Sequence, residues 1–533
     1  MKCILCIDHG TSGVKTAIVS TNGTVMDWSF KAVPLFLGED GKAEQDPVEW
    51  WNAILHTTHE LIDRGHVPVE DIVGISNTSQ FSGLVAVDKD GNHLMNAFNA
   101  MDSRGAYLIE RFHRGAIKVS GYNLLKVLNW IRITGGGPTL SGKDPIAHLL
   151  FVKDQLPEIY NKTYKFLEPQ DYINVKLTGK IAASPASMQL FWITDTRRID
   201  DVHYATGLIK ALRIDPDKFP PLKRSIDVLG TVTKENADIL GLDKQTKVVV
   251  GAPDLHTAGI GAGAIANYDG YFYIGTSDYI SCHVPYKKTD MFHNMASLPG
   301  ALPGRYYLYN EQECAGACLS FLRDNILYHK DELSREEPGP DVYKKFDKIV
   351  EEVKPGSKNL IFTPWLYGER APVDNHSIRG GFYNMSLSMD KGDLIRAIFE
   401  GVAFNARWLL HYVEKFIKRK MQVLNVIGGG AQSNVWCQIF ADVMGKTIRQ
   451  VSNPIQSNAR GAAFIAALGL GYIKEEDIAR NTTFSNVFKP DAGHQAVYNK
   501  LYKEFLAIYK RMEKLYHAMN KNVAICACEG HQP

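Results

Sequence analysis

The chain has 533 residues, too many for one hydrophobic core, so two large domains are the starting expectation. Its 45% hydrophobic and 22% charged residues, with 45 glycines spread evenly, exclude a disordered, collagen-like or membrane-dominated protein. Lysine plus arginine, 60, nearly cancels aspartate plus glutamate, 58, and no run of like charge forms a basic stripe, which argues against nucleic acid or another polyanion as partner.

From the start, Met1-Lys2-Cys3 leads straight into a strand, without the charged region, apolar run and cleavage site of an export signal. Cys3 to Phe30 reads as strand, glycine turn, strand, an Asn22-Gly23 hairpin turn and a third strand. Cys3 and Cys6 point to opposite faces of that first strand and cannot readily share a metal. Asp46-Pro47-Val48-Glu49 supplies an N-cap, a proline at the first helical position and an acidic third position, so a helix runs from there to about Gly65. Strands follow at Ile72 to Ser76 and Leu84 to Asp88, which makes the first half α/β. Gly135-Gly136-Gly137-Pro138 follows no strand and lacks a closing Gly-Lys-Ser/Thr, so it reads as a loop and not a phosphate loop.

Near residue 247 a similar order restarts: Val248 to Val250, a glycine-rich helix start, Tyr271 to Ile274, Gly275-Thr276-Ser277, then Tyr279 to His283. The first copy of this strand, Gly-Thr-Ser, strand pattern is Ile4 to Asp8, Gly10-Thr11-Ser12 and Val14 to Val19. Two related halves with a boundary close to residue 252 are therefore expected. Consecutive amides in such turns form nests for phosphate oxygens, and two of them could clamp one polyphosphate. Cys314 and Cys318 would share a face if that segment were helical; Cys526, Cys528 and His531 crowd the tail; neither set offers four ligands at zinc spacing. Eight cysteines are too sparse for a disulfide framework and fit a reducing cytoplasm. Gly461 to Tyr472 is small and apolar but too short to span a bilayer, and reads as a tightly packed helix, so no membrane partner is expected. Residues 494 to 519 place Tyr498, Leu501, Phe505 and Met512 at helical spacing, the pattern of a packing helix.

Four segments taken together, Ile7-Asp8-His9-Gly10-Thr11-Ser12-Gly13-Val14-Lys15, Gly251-Ala252-Pro253-Asp254, Gly368-Glu369-Arg370-Ala371-Pro372 and Gly428-Gly429-Gly430-Ala431-Gln432-Ser433-Asn434, resemble the FGGY carbohydrate kinase family in order and spacing. The resemblance runs from Cys3 to about Leu470 and implies two ribonuclease-H-like domains of the actin, Hsp70 and sugar kinase superfamily around a cleft. It divides the chain into residues 1–252, on the sugar side, and 253–533, on the nucleotide side. It implies ATP as donor with Mg2+, a small sugar as partner and, by analogy, a homodimer. Asp254 matches the family's general base, although an aspartate at a helix start also looks like an N-cap. Asp8 matches the residue that holds magnesium, directly or through water. Thr11, Ser12 and Lys15 match positions near the phosphates, Gly275 and Thr276 the second phosphate turn, Gly316 a glycine beside the nucleotide, and Gly430 with Asn434 the adenine side.

On the sugar side the resemblance points to Gln80, Phe81, Ser82, Asp102 and Asp254. Xylulokinases carry Met-His-Gly where this chain has Phe81-Ser82-Gly83, and glycerol kinases carry Arg-Glu at Phe81 and Ser82. The missing Arg-Glu disfavours glycerol. Met101-Asp102-Ser103-Arg104 and Gln170-Asp171-Tyr172 resemble xylulokinase-like members, so a ketopentose is the expected acceptor, with another pentulose, a pentitol or a hydroxylated diketone as alternatives. Outside catalysis, the same superfamily offers a nucleotide-switched binding protein or a sugar sensor.

Overall fold

The computed structural model describes residues 1–119, 121–331 and 337–520; the expected Cys526, Cys528 and His531 cluster lies outside them. The first half is built on β1 (Cys3–His9), β2 (Gly13–Ser20), β3 (Val25–Ala32), α1 (Pro47–Arg64), β4 (Ile72–Ser79), α2 (Pro169–Thr178), β5 (Val228–Thr231) and β6 (Lys247–Val249). Its six-stranded sheet has the order β5-β6-β4-β1-β2-β3. β1 and β2 are an antiparallel hairpin that sets Asp8 opposite Lys15, whereas β4 runs parallel to both β1 and β6. A parallel neighbour needs a crossover, and α1 supplies it. As its sequence requires, the Asp46 carboxylate accepts from Val48 N at 2.8 Å, Pro47 starts the helix and Gly65 ends it at φ +64°. Cys3 and Cys6 enter different apolar clusters on the two faces of the sheet.

The second half repeats the plan with α3 (Asp254–Gly261), β7 (Gly270–Ile274), β8 (Asp278–Ser281), α4 (Gly316–Leu322), α5 (Lys391–Ile417), β9 (Val423–Ile427), α6 (Asn434–Met444), β10 (Thr447–Val451), α7 (Ser457–Gly469), β11 (Phe484–Phe488) and α8 (Ala492–Asn520). Its order is β8-β7-β9-β10-β11, again a hairpin beside parallel strands. The halves differ at the third strand: β3 stays on its sheet, but the chain after β8 leaves to form a separate four-stranded antiparallel sheet between residues 283 and 309. Cys314 precedes α4, so it does not share a helix face with Cys318; both thiols are buried, and burial pushes them up.

The largest core surrounds α5, where Trp365, Phe399, Phe404, Trp408 and Trp436 meet Tyr498 and Phe505 of α8. A buried pair locks the two helices: Arg396 Nε donates to Glu400 at 2.7 Å and Arg396 Nη2 to Tyr498 OH at 2.9 Å. α7 leaves its own half and packs Ala459, Ala462, Ala463 and Phe464 against Ile4, Cys6, Ala17 and Val19 of the first sheet. It crosses α3 at two glycines; a Cβ on Gly261 would lie 1.8 Å from Ser457 O, and one on Gly461 would lie 1.9 Å from Thr257 O. Tight packing explains the small residues read from 461 to 472. An insertion of the first half, with Trp130, Phe166 and Phe191, packs on Leu298 of the second half's extra sheet. Among the described residues no helix is long and apolar enough to cross a membrane.

Candidate active site

β1 delivers Asp8 to the edge of the interdomain cleft, and the hairpin returns Lys15 so that its Nζ lies 3.6 Å from Asp8 Oδ2. Lys15 also donates to Ile455 O, across the cleft, at 3.3 Å. Burial raises the Asp8 carboxyl above its ordinary range, while Lys15 and a hydrogen bond from Asn458 pull it down. Between the strands the first turn is closed by Gly10 N donating to Gly13 O at 2.9 Å, which leaves Thr11 and Ser12 partly exposed at its crest.

Gln80, expected on the sugar side, is buried beneath this turn. Its Oε1 accepts from Thr11 Oγ1 at 2.8 Å and Asn99 Nδ2 at 2.6 Å, and its Nε2 donates to Gln45 Oε1 at 2.7 Å. The amide therefore braces the first turn. Asp102 is also fully buried, and its two oxygens accept from Ala43 N and from Arg104, whose Nε reaches both. Committed in this way, Asp102 holds a loop and has no oxygen left for a sugar.

Asp254 is reached through Gly251, at φ +78°, whose Cβ would sit 2.3 Å from Asn77 O. The capping position falls on Pro253, so Asp254 is the first residue of α3 and not its N-cap. Among the described residues its Oδ1 accepts from the adjacent Leu255 N alone, at 2.7 Å. The start of a helix favours an anion. Burial outweighs that here and, with the nearby Asp8 charge as second cause, pushes the Asp254 carboxyl up to about 7.

The second turn follows β7. Gly275 N donates to Ser277 O at 2.9 Å, Gly275 O accepts from Gly316 N at 2.9 Å, and Thr276 O accepts from Ala315 N at 2.8 Å. A Cβ on Gly316 would lie 2.6 Å from Gly275 O, so that glycine is needed where α4 abuts the turn. Thr276 is exposed. Below it, Ser277 Oγ donates to Glu311 at 2.9 Å, and Arg370 bridges Glu311 and Glu313. Buried Glu369 accepts from Glu313 N, Arg370 N and Asn405 Nδ2 at 3.0, 2.9 and 2.6 Å. The Gly-Glu-Arg-Ala-Pro segment is thus the scaffold of the second turn.

Asp278, next after the turn, is buried with neither oxygen bonded among the described residues; burial and then Glu369 and Glu311 raise its carboxyl well above 3.8. The unfolded chain ionises this group above about pH 4, whereas the fold holds its proton to higher pH, so its cost to stability grows as pH rises from there. Asp278→Asn removes that cost. Its melting temperature should exceed wild type by more at pH 8 than at pH 5, and an equal difference at both pH values would show that the carboxyl does not titrate with folding.

β9 ends at Gly428, φ +92°, whose Cβ would lie 2.4 Å from Ile274 O, and a Cβ on Gly430 would strike the Ile274 side chain at the same distance. This seats the 428–434 loop against the residue that enters the second turn. Ser433 caps α6 by accepting from Trp436 N at 3.1 Å, and exposed Asn434 is oriented by Gln450 Nε2 at 3.0 Å. The glycines leave bare backbone beside the turn, a surface on which a flat base can lie.

Opposite, half-buried Phe81 lies 6.3 Å from the ring of Tyr309 on the other half. Ser82, at φ +69°, donates to Lys143 O at 2.8 Å. Tyr309 OH lies 2.7 Å from His256 Nε2, which also meets Gln189 Nε2 at 2.8 Å. Burial drives the His256 imidazole down to about 3, so it is neutral. His256, Tyr309 and Gln189 form one hydrogen-bonded cluster at the start of α3, two residues along from Asp254, and sequence reading missed all three. Their separations of 53 and 67 residues from His256 leave no local pattern. Asp171 of the Gln170-Asp171-Tyr172 segment is buried, and burial pushes its carboxyl up to about 8 against the pull of Ser187 and the Glu168 backbone.

Among the described residues no three or more His, Cys, Asp or Glu converge to hold an ion. The partly exposed Asp8 carboxylate suits a cation that draws most of its ligands from water and phosphate.

Known proteins match this architecture throughout. The FGGY family of carbohydrate kinases, N-terminal domain, matches residues 3–261, and the family's C-terminal domain matches residues 270–470. A xylulose kinase of Bacillus subtilis (strain 168) is 30% identical over 530 residues, covering 97% of this chain and 99% of that protein. A gluconokinase of the same organism is 25% identical, covering 96% of each. The solved gluconate kinase and the ligand-bound xylulose kinase of Lactobacillus acidophilus each superpose with a TM-score of 0.83 at 25% identity, over 97% of this chain and 99% and 100% of theirs. With both family domains matched in order and over most of its length, the chain belongs to the FGGY family of carbohydrate kinases, phosphotransferases with an alcohol group as acceptor.

Proposed function

We propose that this protein transfers the γ-phosphoryl group of ATP to a hydroxyl of a ketopentose such as D-xylulose, in a cleft between residues 1–252 and 253–533. The observation that carries the reading is Asp254, a carboxyl at the start of α3 that burial and the nearby Asp8 charge push up to about 7. In this reading Asp254 orients the acceptor hydroxyl and takes its proton. A carboxylate is a weak base toward an alcohol, so in-line positioning and charge neutralisation carry most of the rate, and proton transfer is late. Thr11, Ser12 and the amides at Gly275 and Thr276 orient the phosphates, Lys15 offsets their charge, and Gly316, Gly430 and Asn434 border the base. Asp8 would hold Mg2+, which neutralises phosphate charge when bound. Phe81 and Tyr309 narrow the cleft, which excludes water that would otherwise compete as acceptor.

The ketopentose is supported by the full-length identity to a xylulose kinase. Ser82, where xylulokinases carry histidine, and the gluconokinase likeness make the acceptor the point to measure. The test is coupled ADP release with ATP and Mg2+ over ketopentoses, aldopentoses, pentitols, aldonates, glycerol and hydroxylated diketones. The highest kcat/KM on D-xylulose supports the reading; a higher value on another acceptor replaces that sugar; no turnover with any, while ATP binds, overturns the kinase assignment.

A further inference from the structure

Lys143 stands out at the acceptor side of the cleft. It belongs to the loop that begins with the glycines at 135–137, which no phosphate role explains. The loop is fixed: Asp144 Oδ2 accepts from Thr139 N and Thr139 Oγ1, both at 2.6 Å, and Asp144 Oδ1 accepts from Trp192 Nε1 at 3.1 Å. Ser82 Oγ ties the loop to the sugar-side turn through Lys143 O at 2.8 Å. The backbone of Lys143 is therefore positioned by the very residue that stands where relatives select their sugar.

Its ammonium, by contrast, has no hydrogen bond and no ion pair within 4 Å among the described residues. Lys143 is exposed, and its Nζ lies within electrostatic reach of Arg370 and Glu313, on the second half. Arg370 is already neutralised by Glu311 and Glu313. Glu311 in turn is close enough to influence Asp254. Among the described residues the Lys143 ammonium is thus an uncommitted cation, on a rigid loop tied to Ser82 and within reach of charges on the second half, with three hydrogens to donate.

We propose that Lys143 is an acceptor-binding residue, which donates to an electron-rich oxygen at the end of the sugar away from the hydroxyl that receives phosphate. This rests on the sugar kinase reading and deepens it. The carbonyl of a ketose and the carboxylate of an aldonate share that chemistry, and the charged donor favours acceptors that carry either over pentitols that carry neither.

Lys143→Met keeps most of the side chain's apolar stem and removes its charge, and Lys143→Arg restores a charged donor. With full-length protein, ATP and Mg2+, initial rates are measured for D-xylulose, the five-carbon aldonate and the matching pentitol. A charged hydrogen bond is worth roughly a tenfold or greater change in binding. The expected result is a rise of about tenfold or more in KM for the acceptor that wild type prefers, with kcat within about twofold, KM for ATP unchanged and most of the loss recovered in Lys143→Arg. A preference lost for the aldonate identifies a carboxylate partner, and one lost for D-xylulose identifies a carbonyl. An unchanged acceptor KM overturns the proposal alone. Equal shifts in the KM of ATP and acceptor also overturn it, because they mark a latch across the cleft. A wild type that phosphorylates no acceptor sinks the kinase reading and this inference with it.

Discussion

Asp254→Asn should lose phosphoryl transfer and gain thermal stability in the same protein. The amide keeps the shape and the hydrogen bond from Leu255 N but cannot take a proton, so kcat should fall by about a hundredfold to ten-thousandfold. Stability moves the other way because the wild-type carboxyl is raised from 3.8 to about 7. A raised acid holds its proton in the fold while the unfolded chain releases it, so the folded state loses ground as pH climbs from about 4 to 7, and the cost is complete above 7. Asparagine carries no such cost. We expect Asp254→Asn to be more stable than wild type by about 1–2 kcal/mol at pH 8, after allowance for the partial exposure of the group, and no more stable at pH 4.

The same ionisation predicts the rate profile of the wild type. kcat/KM should fall about tenfold per pH unit below about 7, since only the ionised Asp254 of the free enzyme accepts a proton. The Asp8 charge is the second cause of the raised value, so Asp8→Asn should move this limb to lower pH as well as slowing turnover. Stopped assays over pH 5 to 9 and calorimetry at the two ends check both sides. An Asp254→Asn enzyme that kept turnover within tenfold of wild type would remove Asp254 from the role of base.

Gly461→Ala should be among the most damaging single-methyl additions in the interior. The new Cβ would meet Thr257 O at 1.9 Å and Thr257 C at 2.6 Å, and these are backbone atoms of α3 that no rotamer change can move. Overpacking of this kind costs about 3 kcal/mol or more. Here the strain also falls where α3, which presents Asp254, crosses α7, which supports the first sheet. The expected outcome is poor recovery of folded protein or a melting temperature lowered by at least about 5 °C, with kcat reduced in whatever folds. Gly207 is the control: nothing lies within 4 Å of its added Cβ, it sits in the short helix Thr206–Ala211, and alanine there should be neutral or slightly stabilising. If both variants melted alike, the crossing would be looser than the glycine contacts indicate.

Much of the scaffold could be read from local chemistry. The Asp46-Pro47 helix start, the Asn22-Gly23 hairpin, the two Gly-Thr-Ser turns between strands and the apolar stripe of α8 each depend on φ/ψ preferences and hydrogen bonds within a few residues. The repeat of strand, turn and strand foretold two related halves. Its limits were equally physical. The second half sheds its third strand into another sheet, because strand pairing is decided by the surface available for burial and not by propensity alone.

By itself the sequence determined the α/β class, the strand, glycine turn and strand between Ile4 and Val19, and the placing of Asp254 at a helix start; these are encoded in short segments whose geometry survives wherever they dock. Only the tertiary structure decided what each carboxyl and amide does. It sank Gln80 under the first turn, tied Asp102 to Arg104, buried Asp278 and Asp171 so that their carboxyls are raised, and brought Tyr309 and Gln189 to His256. Burial and neighbouring charge set proton affinity and hydrogen-bond commitment, and both come from residues tens to hundreds of positions away.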